Sequence, residues 1–156
     1  IFVNPTQFND QQDYLHYPKT IDQDILLLEK SACDVLFLPE VQEIYPSGYV
    51  ANHYALGSLE TVLEGKYRPG HFQGVCQVVD RLLAIVMPST LFLGQKDYQQ
   101  CMVIERLIDL KQYATKLAIV PTMREKSGLA MSSRNLRLNE QDKEKAAAIY
   151  AGLTQL

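Results

Sequence analysis

The sequence has no long apolar run. Its longest, such as residues 25–28 and 82–87, fall far short of the ~20 apolar residues that a membrane-spanning helix requires. Cysteine is scarce. Cys33, Cys76 and Cys101 are widely spaced, with no C-x-x-C pair and no Cys/His ligand spacing. That excludes a disulfide scaffold and a zinc site, and predicts buried free thiols in a reducing compartment. Seven prolines and eight glycines are too few for collagen or a Pro-rich linker. A basic excess is missing too. The net charge is −3, which argues against non-specific binding to nucleic acid or to a membrane surface, though not against a local anion site.

What remains is an ordinary globular composition, 47% hydrophobic against 21% charged, which excludes a disordered tail. At 156 residues the chain is about one domain long and can bury roughly 68–70% of its unfolded surface. It opens on Ile1-Phe2-Val3, which reads as the end of a buried strand, so a segment upstream is expected.

Residues 4–19, polar and aromatic with two prolines, read as a loop. Thr20 opens a helix. Thr20 and Gln23 have capping-box spacing, and Ile21, Ile25 and Leu28 share one helical face. Residues 35–38, ended by Pro39, predict a second buried strand, and Pro46-Ser47-Gly48 a turn. Residues 58–64 predict a short helix stopped by Gly65. The periodicity of Val75, Val78, Val79, Leu82, Leu83 and Val86 predicts a long helix from His71 to Val86, ended by Pro88. Residues 91–93 and 117–120 predict two more strands. Between them lies a helix from Asp97 to Leu110, with Asp97 and Gln100 at cap spacing. Residues 122–138 read as a long basic loop, and Asn139 begins a final helix. Apolar strands alternating with helices predict βαβ units, hence an α/β fold with a parallel sheet and helices on both faces. Unalternating strands predict burial on both sides. In such sheets ligands bind beyond the carboxyl ends of the strands, so chemistry is sought after Val3, after Leu93 and after Val120.

Those three loops carry suitable groups. Gly94-Gln95-Lys96-Asp97 combines a glycine that permits close backbone approach with a point charge suited to phosphate. Asp97 caps the following helix in this reading, or holds a ribose hydroxyl or a metal. Taken alone, the pattern is as readily a helix entrance with a solvated lysine. Ser127 to Asn135 offers hydroxyls and Arg134 for a polyphosphate, in a stretch where Arg124, Lys126, Arg134 and Arg137 outweigh Glu125. Taken alone it is a basic surface loop. Asn4 and Gln7 are neutral amides at a strand end and suit a hydroxy acid, although such amides more often satisfy loop backbone. Arg68 could bind a carboxylate. His71, at a helix start, reads as a capping or packing residue.

In order along the chain stand Asn4-Pro5-Thr6-Gln7-Phe8, Tyr17-Pro18-Lys19-Thr20, Glu43-Ile44-Tyr45-Pro46, Leu63-Glu64-Gly65, Arg68-Pro69-Gly70-His71-Phe72, Gly94-Gln95-Lys96-Asp97-Tyr98-Gln99-Gln100 and Gly128-Leu129-Ala130-Met131-Ser132-Ser133-Arg134-Asn135. Together they resemble the pantothenate synthetase (pantoate–β-alanine ligase) family. The resemblance implies a Rossmann-like nucleotidyltransferase fold, incomplete at the N-terminus. Residues 1–121 would form the nucleotide- and pantoate-binding domain. Residues 122–156 would form a phosphate-gripping loop and the beginning of a C-terminal lid domain. It implies ATP-dependent condensation of pantoate with β-alanine through pantoyl adenylate, with Mg²⁺ accompanying ATP, in a cytoplasmic homodimer.

By the same resemblance Gly94, Gln95, Lys96, Asp97, Met123, Met131, Ser132, Ser133 and Arg134 contact ATP, and Lys96 carries the catalytic charge. Gln7 and Gln100 hold pantoate. Gln7 also meets β-alanine, with Asn4 and Arg68 as helpers. The sequence departs from the family in three places. It contains no His-x-Gly-His segment, Gln95 replaces the usual glutamate, and only the start of the C-terminal domain is present. The 156 residues alone are therefore expected not to turn over. A non-catalytic fragment or nucleotide-binding remnant is the alternative. Another nucleotidyltransferase of the superfamily is a weaker one, since Arg68-Pro69-Gly70-His71-Phe72 together with Asn4-Pro5-Thr6-Gln7-Phe8 argues against it.

Overall fold

A computed structural model describes residues 1–155. Its helices are α1 (Gln11–Leu15), α2 (Ile21–Lys30), α3 (Val41–Ile44), α4 (Leu63–Tyr67), α5 (His71–Val86), α6 (Tyr98–Lys111) and α7 (Glu140–Leu153). The strands are β1 (Thr90–Gly94) and β2 (Lys116–Val120). Short 3₁₀ turns stand at Pro5–Gln7, Gly57–Glu60, Gln95–Asp97 and Ser133–Arg137.

α5 begins and ends where the sequence says it should. Gly70 enters it with φ +78°, and Met87 leaves it in the left-handed region, just before Pro88. It buries Phe72, Val75, Cys76, Val78 and Leu83, a stripe at helical spacing. α6 buries Cys101, Val103, Ile104, Leu107 and Ile108. The two helices pack on each other, with Tyr54 and Leu56 closing the core and Leu91, Leu93 and Leu117 packing on it from the sheet. Each fully buried Leu or Ile contributes roughly 1.5–3 kcal/mol. β1 and β2 run parallel in the register Thr90↔Lys116 to Gly94↔Val120, and α6 is the crossover between them.

The α/β architecture therefore stands, but only two of the four expected strands form a ladder. Residues 1–3 and 35–38 touch through one bond, from the Ile1 amine to the Phe37 carbonyl, and Val35 is 81% exposed. An apolar run records a preference for burial. A strand also needs a neighbour that takes its hydrogen bonds. Nor is the sheet buried on both sides. Leu91 and Leu93 face the helices, whereas Phe92, on the opposite face, is 66% exposed.

Smaller expectations change as well. Thr20 and Asp97 start their helices but cap neither with a side-chain bond, because their ψ values of 44° and 57° are not the extended geometry of a capping residue. Gly65 does not stop a helix; it lies inside α4, where a Cβ would stand 2.4 Å from the Glu60 carbonyl oxygen. The loop at residues 4–19 contains α1 and a 3₁₀ turn, and that at residues 122–138 contains another. Cys76 and Cys101 are buried, whereas Cys33 is exposed. Burial pushes the Cys76 thiol up to about 12, so it is inert.

Behind the core, Asp80 on α5 is 6% exposed and gathers three donors. Tyr54 Oη lies at 2.9 Å, Tyr113 Oη at 2.5 Å and Lys111 Nζ at 3.1 Å. Burial pushes its carboxyl upward, but the donated bonds from Tyr113, Tyr54 and Lys111 together hold it below the usual carboxylate range. This network ties α5 to the end of α6 and to the loop before α4.

Candidate active site

A cavity of about 720 Å³ opens where β1 and β2 end, lined by Gly94 from one strand and Val120 from the other. The carboxyl ends of parallel strands are where the fold leaves room for a ligand.

One wall is the Pro5–Gln7 turn, which is fixed to α5. Asn4 is 3% exposed, and its side chain is used up internally. Its Oδ1 accepts from Thr6 N at 3.3 Å and Tyr45 Oη at 2.9 Å. Its Nδ2 donates to Gly74 O at 3.1 Å and Thr6 Oγ1 at 2.9 Å, and stands 3.5 Å from Gln7 Oε1. Asn4 therefore builds the loop that presents Gln7, and it does not line the cavity. Gly74 makes the contact feasible, because a Cβ there would lie 2.2 Å from the Thr6 carbonyl oxygen.

The Gln7 carbonyl accepts from His71 Nδ1 at 2.8 Å and Arg68 Nη2 at 3.2 Å. Arg68 also pairs with Glu64 at 3.0 Å. His71, read from sequence as packing, lines the cavity beside Gln7. Phe8, Tyr17, Phe72 and Thr122 line it too. Tyr17 and Phe72 stood inside quoted motifs but carried no chemical group that marked them.

The floor comes from the 3₁₀ turn Gln95–Asp97 and the first turn of α6. Lys96 and Asp97 line the cavity, with Nζ 3.2 Å from Asp97 Oδ1, and Gln100 joins them from α6. Gln95 turns away into an adjoining cavity that it shares with Arg124 and Tyr150.

The third wall is Met123 together with Met131, Ser132, Ser133 and Arg134. Ser132 caps the Ser133–Arg137 turn by accepting from Arg134 N at 3.2 Å. Arg134 reaches across to α1, 2.8 Å from Asp13 Oδ2, with its guanidinium over the Tyr17 ring. Arg137 takes the other oxygen of Asp13 at 3.2 Å. The Arg134 bond, helped by Arg137, holds the Asp13 carboxyl below the usual carboxylate range.

Of the residues singled out from sequence, the structure brings together Gln7, Arg68, Gly94, Lys96, Asp97, Gln100, Met123, Met131, Ser132, Ser133 and Arg134 on one cavity. Gln95 and Asn4 stand beside it. The assembled groups are three cations for an anion, neutral amides for directional bonds, and thioethers that can cover a flat ring. Among the described residues no three His, Cys, Asp or Glu side chains cluster as a metal site.

The sequence model of the family described as pantoate-beta-alanine ligase matches residues 1–156. The pantothenate synthetase of Aquifex aeolicus is 45% identical over 150 residues, 96% of this chain and 53% of the relative. The crystal structure of pantothenate synthetase from Thermus thermophilus superimposes with a TM-score of 0.94 at 42% identity, over 99% of this chain and 56% of that one. The pantoate-beta-alanine ligase of Francisella tularensis, solved with beta-gamma ATP and beta-alanine, gives 0.91 at 47% identity, over 97% and 58%. The chain spans a little over half the length of these relatives. A match along the whole chain, on a fold whose strand ends carry the quoted motifs, makes it a member of the pantoate–β-alanine ligase family.

Proposed function

We propose that this chain is the part of an ATP-dependent ligase that joins pantoate to β-alanine. A pantoate carboxylate oxygen attacks the α-phosphorus of ATP, the bond to the β-phosphate breaks, and pyrophosphate leaves. The β-alanine amine then attacks the acyl carbon, the acyl–phosphate bond breaks with AMP as leaving group, and the amine proton passes to solvent. What carries this reading is one cavity lined by Gln7, Lys96, Gln100 and Met131 to Arg134, in a chain whose Francisella relative was solved with beta-gamma ATP and beta-alanine.

In this reading Lys96 stabilises the charge that builds on the α-phosphate, an electrostatic contribution of about 3–4 kcal/mol. Arg134 and the Ser132 and Ser133 region grip the remaining phosphates, Gly94 lets the nucleotide approach the strand end, and Met123 and Met131 cover the adenine. Gln7 and Gln100 hold pantoate by directional bonds, and Arg68 is the cation available to a carboxylate. Pantoate is already ionised, and the adenylate is itself the activated acyl group, so no covalent nucleophile is needed. Proximity supplies much of the second step. Mg²⁺ fits as an ion carried on the nucleotide's phosphates, where it would neutralise charge. Asp97 is the carboxylate beside Lys96 that could meet it. Residues 122–156 read as the gripping loop and the start of a lid domain, supported by the Arg124 guanidinium 4.0 Å above the Tyr150 ring of α7. The resemblance further implies a cytoplasmic homodimer, and among the described residues no helix is long and apolar enough to cross a membrane.

The test supplies pantoate, ATP, Mg²⁺ and β-alanine to the 156-residue chain and to a version extended upstream by about 60 residues, the length of one further βαβ-type unit or more. Pyrophosphate release that depends on pantoate, followed by AMP and pantothenate once β-alanine is added, is expected from the extended version. Failure of both versions to form the adenylate would sink the proposal.

A further inference from the structure

His71 is the cavity residue whose chemistry is left unused above. It opens α5, is 7% exposed, and lines the cavity with Gln7. Its Nδ1 lies 2.8 Å from the Gln7 carbonyl oxygen. A carbonyl can only accept, so Nδ1 carries the proton. Burial pushes the ring below its ordinary pKa, and the Arg68 cation adds to this against the pull of the Gln7 carbonyl. A neutral ring has one proton, and it is on Nδ1. Nε2 is then a bare acceptor. No described group bonds it, and among the described residues no buried side-chain nitrogen or oxygen lacks a partner, so Nε2 belongs to the small exposed part of the ring.

The bond matters because of where Gln7 sits. The front of the Pro5–Gln7 turn is anchored twice, by Asn4 on the Gly74 carbonyl and by the close approach of Gly74 to Thr6. The other end is closed by the Phe8 N–H on the Pro5 carbonyl at 3.3 Å, with Asn4 Nδ2 3.5 Å from Gln7 Oε1, and the group these bonds leave open is the Gln7 carbonyl. His71 and Arg68 are its two donors. Arg68 is divided between Gln7 and Glu64, and a third of its side chain is exposed. His71 is buried, closer, and bonded to nothing else. The Gln7 carbonyl and side chain leave the same Cα, so bonds that fix the carbonyl help to fix where the side chain starts.

We infer that His71 is a positioning residue. Its Nδ1–H, acting through the Gln7 carbonyl, aims the Gln7 amide at the hydroxy-acid and amine substrates. The inference rests on the ligase reading and adds a residue to that site.

Three variants test it in the active form of the enzyme. His71→Asn keeps an N–H donor near the position of Nδ1, His71→Gln moves the amide out towards Nε2, and His71→Ala removes it. A neutral hydrogen bond of this kind corresponds to roughly a two- to ten-fold effect. The Ala and Gln variants are expected to raise KM for pantoate by about that factor, and to slow the use of preformed pantoyl adenylate by β-alanine similarly, with KM for ATP nearly unchanged. His71→Asn should recover most of the loss. Imidazole ¹⁵N spectra of the unaltered protein should find the proton on Nδ1, a readout that does not depend on turnover. The inference is overturned by a proton on Nε2, by an Asn variant as impaired as the Gln variant, or by losses that fall equally on ATP and pantoate. Should His71→Ala not fold, the Asn and Gln pair decides. An unaltered enzyme that makes no adenylate overturns the ligase reading and this inference with it, whereas a working enzyme with three unaffected variants overturns the inference alone.

Discussion

Gly74→Ala puts the geometry of the site to a quantitative test. A methyl on Gly74 would stand 2.2 Å from the Thr6 carbonyl oxygen, 2.7 Å from its carbon and 3.0 Å from Gln7 Cα. All three are backbone atoms, so no rotamer change relieves the clash. The Pro5–Gln7 turn must retreat from α5 by an ångström or more. The bond from Asn4 to the Gly74 carbonyl, now 3.1 Å, stretches with it. Overpacking of this kind costs about 1–3 kcal/mol. Replacing a mid-helix glycine by alanine returns about 0.5–1 kcal/mol. The net loss of stability is then about 0–2.5 kcal/mol, and a chain of this size loses roughly 2–4 °C of Tm for each kcal/mol. Activity should suffer far more, because a misplacement of about 1 Å in a positioning group can cost ~10²-fold. Thermal unfolding alongside pantoate-dependent pyrophosphate release measures both. A folded variant with unaltered KM and kcat for pantoate would show that the turn does not aim Gln7. Global unfolding would show that the contact is structural before anything else.

Lys96→Ala should lower adenylate formation by about 10²–10³-fold, with much less effect on aminolysis of supplied pantoyl adenylate; equal losses in the two half-reactions would make Lys96 structural. Gln7→Ala should raise KM for pantoate and slow the use of preformed adenylate by β-alanine, each consistent with an unpaired polar group worth ~1–3 kcal/mol, and a change confined to ATP would refute its placement. Asp80→Asn leaves Lys111 without its carboxylate and should cost about 1–3 kcal/mol at neutral pH in a denaturant titration. Because the Asp80 pKa is depressed on folding, the charge contributes stability above the unfolded value near 3.8, and that contribution is lost as pH falls through the folded value. The gap between the original and the variant should therefore close below about pH 4, and a gap independent of pH would refute the ionised network.

The elements that the sequence announced clearly were those whose signals are local. α5 carries a six-residue apolar stripe and a proline after it, and it ends where those signals place it. β1, α6 and β2 were legible because an apolar run, a helix and another apolar run at this spacing have few other ways to fold. Residues 35–38 show the limit. Val35, Leu36, Phe37 and Leu38 have the composition of a strand, but what decides the ladder is a partner, and composition carries no record of one. Gly65 was misread for a related reason. A glycine beside a short helix suggests a stop, and only the position of the Glu60 carbonyl reveals that it is there for close packing.

The site divides along the same line. Groups on adjacent residues, such as Lys96 and Asp97, could be read from the sequence as one anion-binding turn. The counterion of Arg134 could not, since Asp13 lies 121 residues away. Yet that pair completes a pattern. Each cation lining the cavity has a carboxylate: Arg68 with Glu64 at 3.0 Å, Lys96 with Asp97 at 3.2 Å, Arg134 with Asp13 at 2.8 Å. The pairs are partly exposed, and such pairs contribute about 0–1 kcal/mol each. They hold the positive groups in place without binding them tightly. A polyphosphate offers several oxygens in place of one carboxylate and makes stronger charge-assisted bonds. Exchanging carboxylate for phosphate at Lys96 and Arg134 therefore costs little and gains more. It would release Asp13 from Arg134 alone, because Arg137 still holds the other oxygen of Asp13 at 3.2 Å and the His16 carbonyl at 3.2 Å, so α1 stays tied to the Ser133–Arg137 turn. A polyphosphate that enters by this exchange would draw Arg134 towards the cavity while Arg137 keeps the turn on α1.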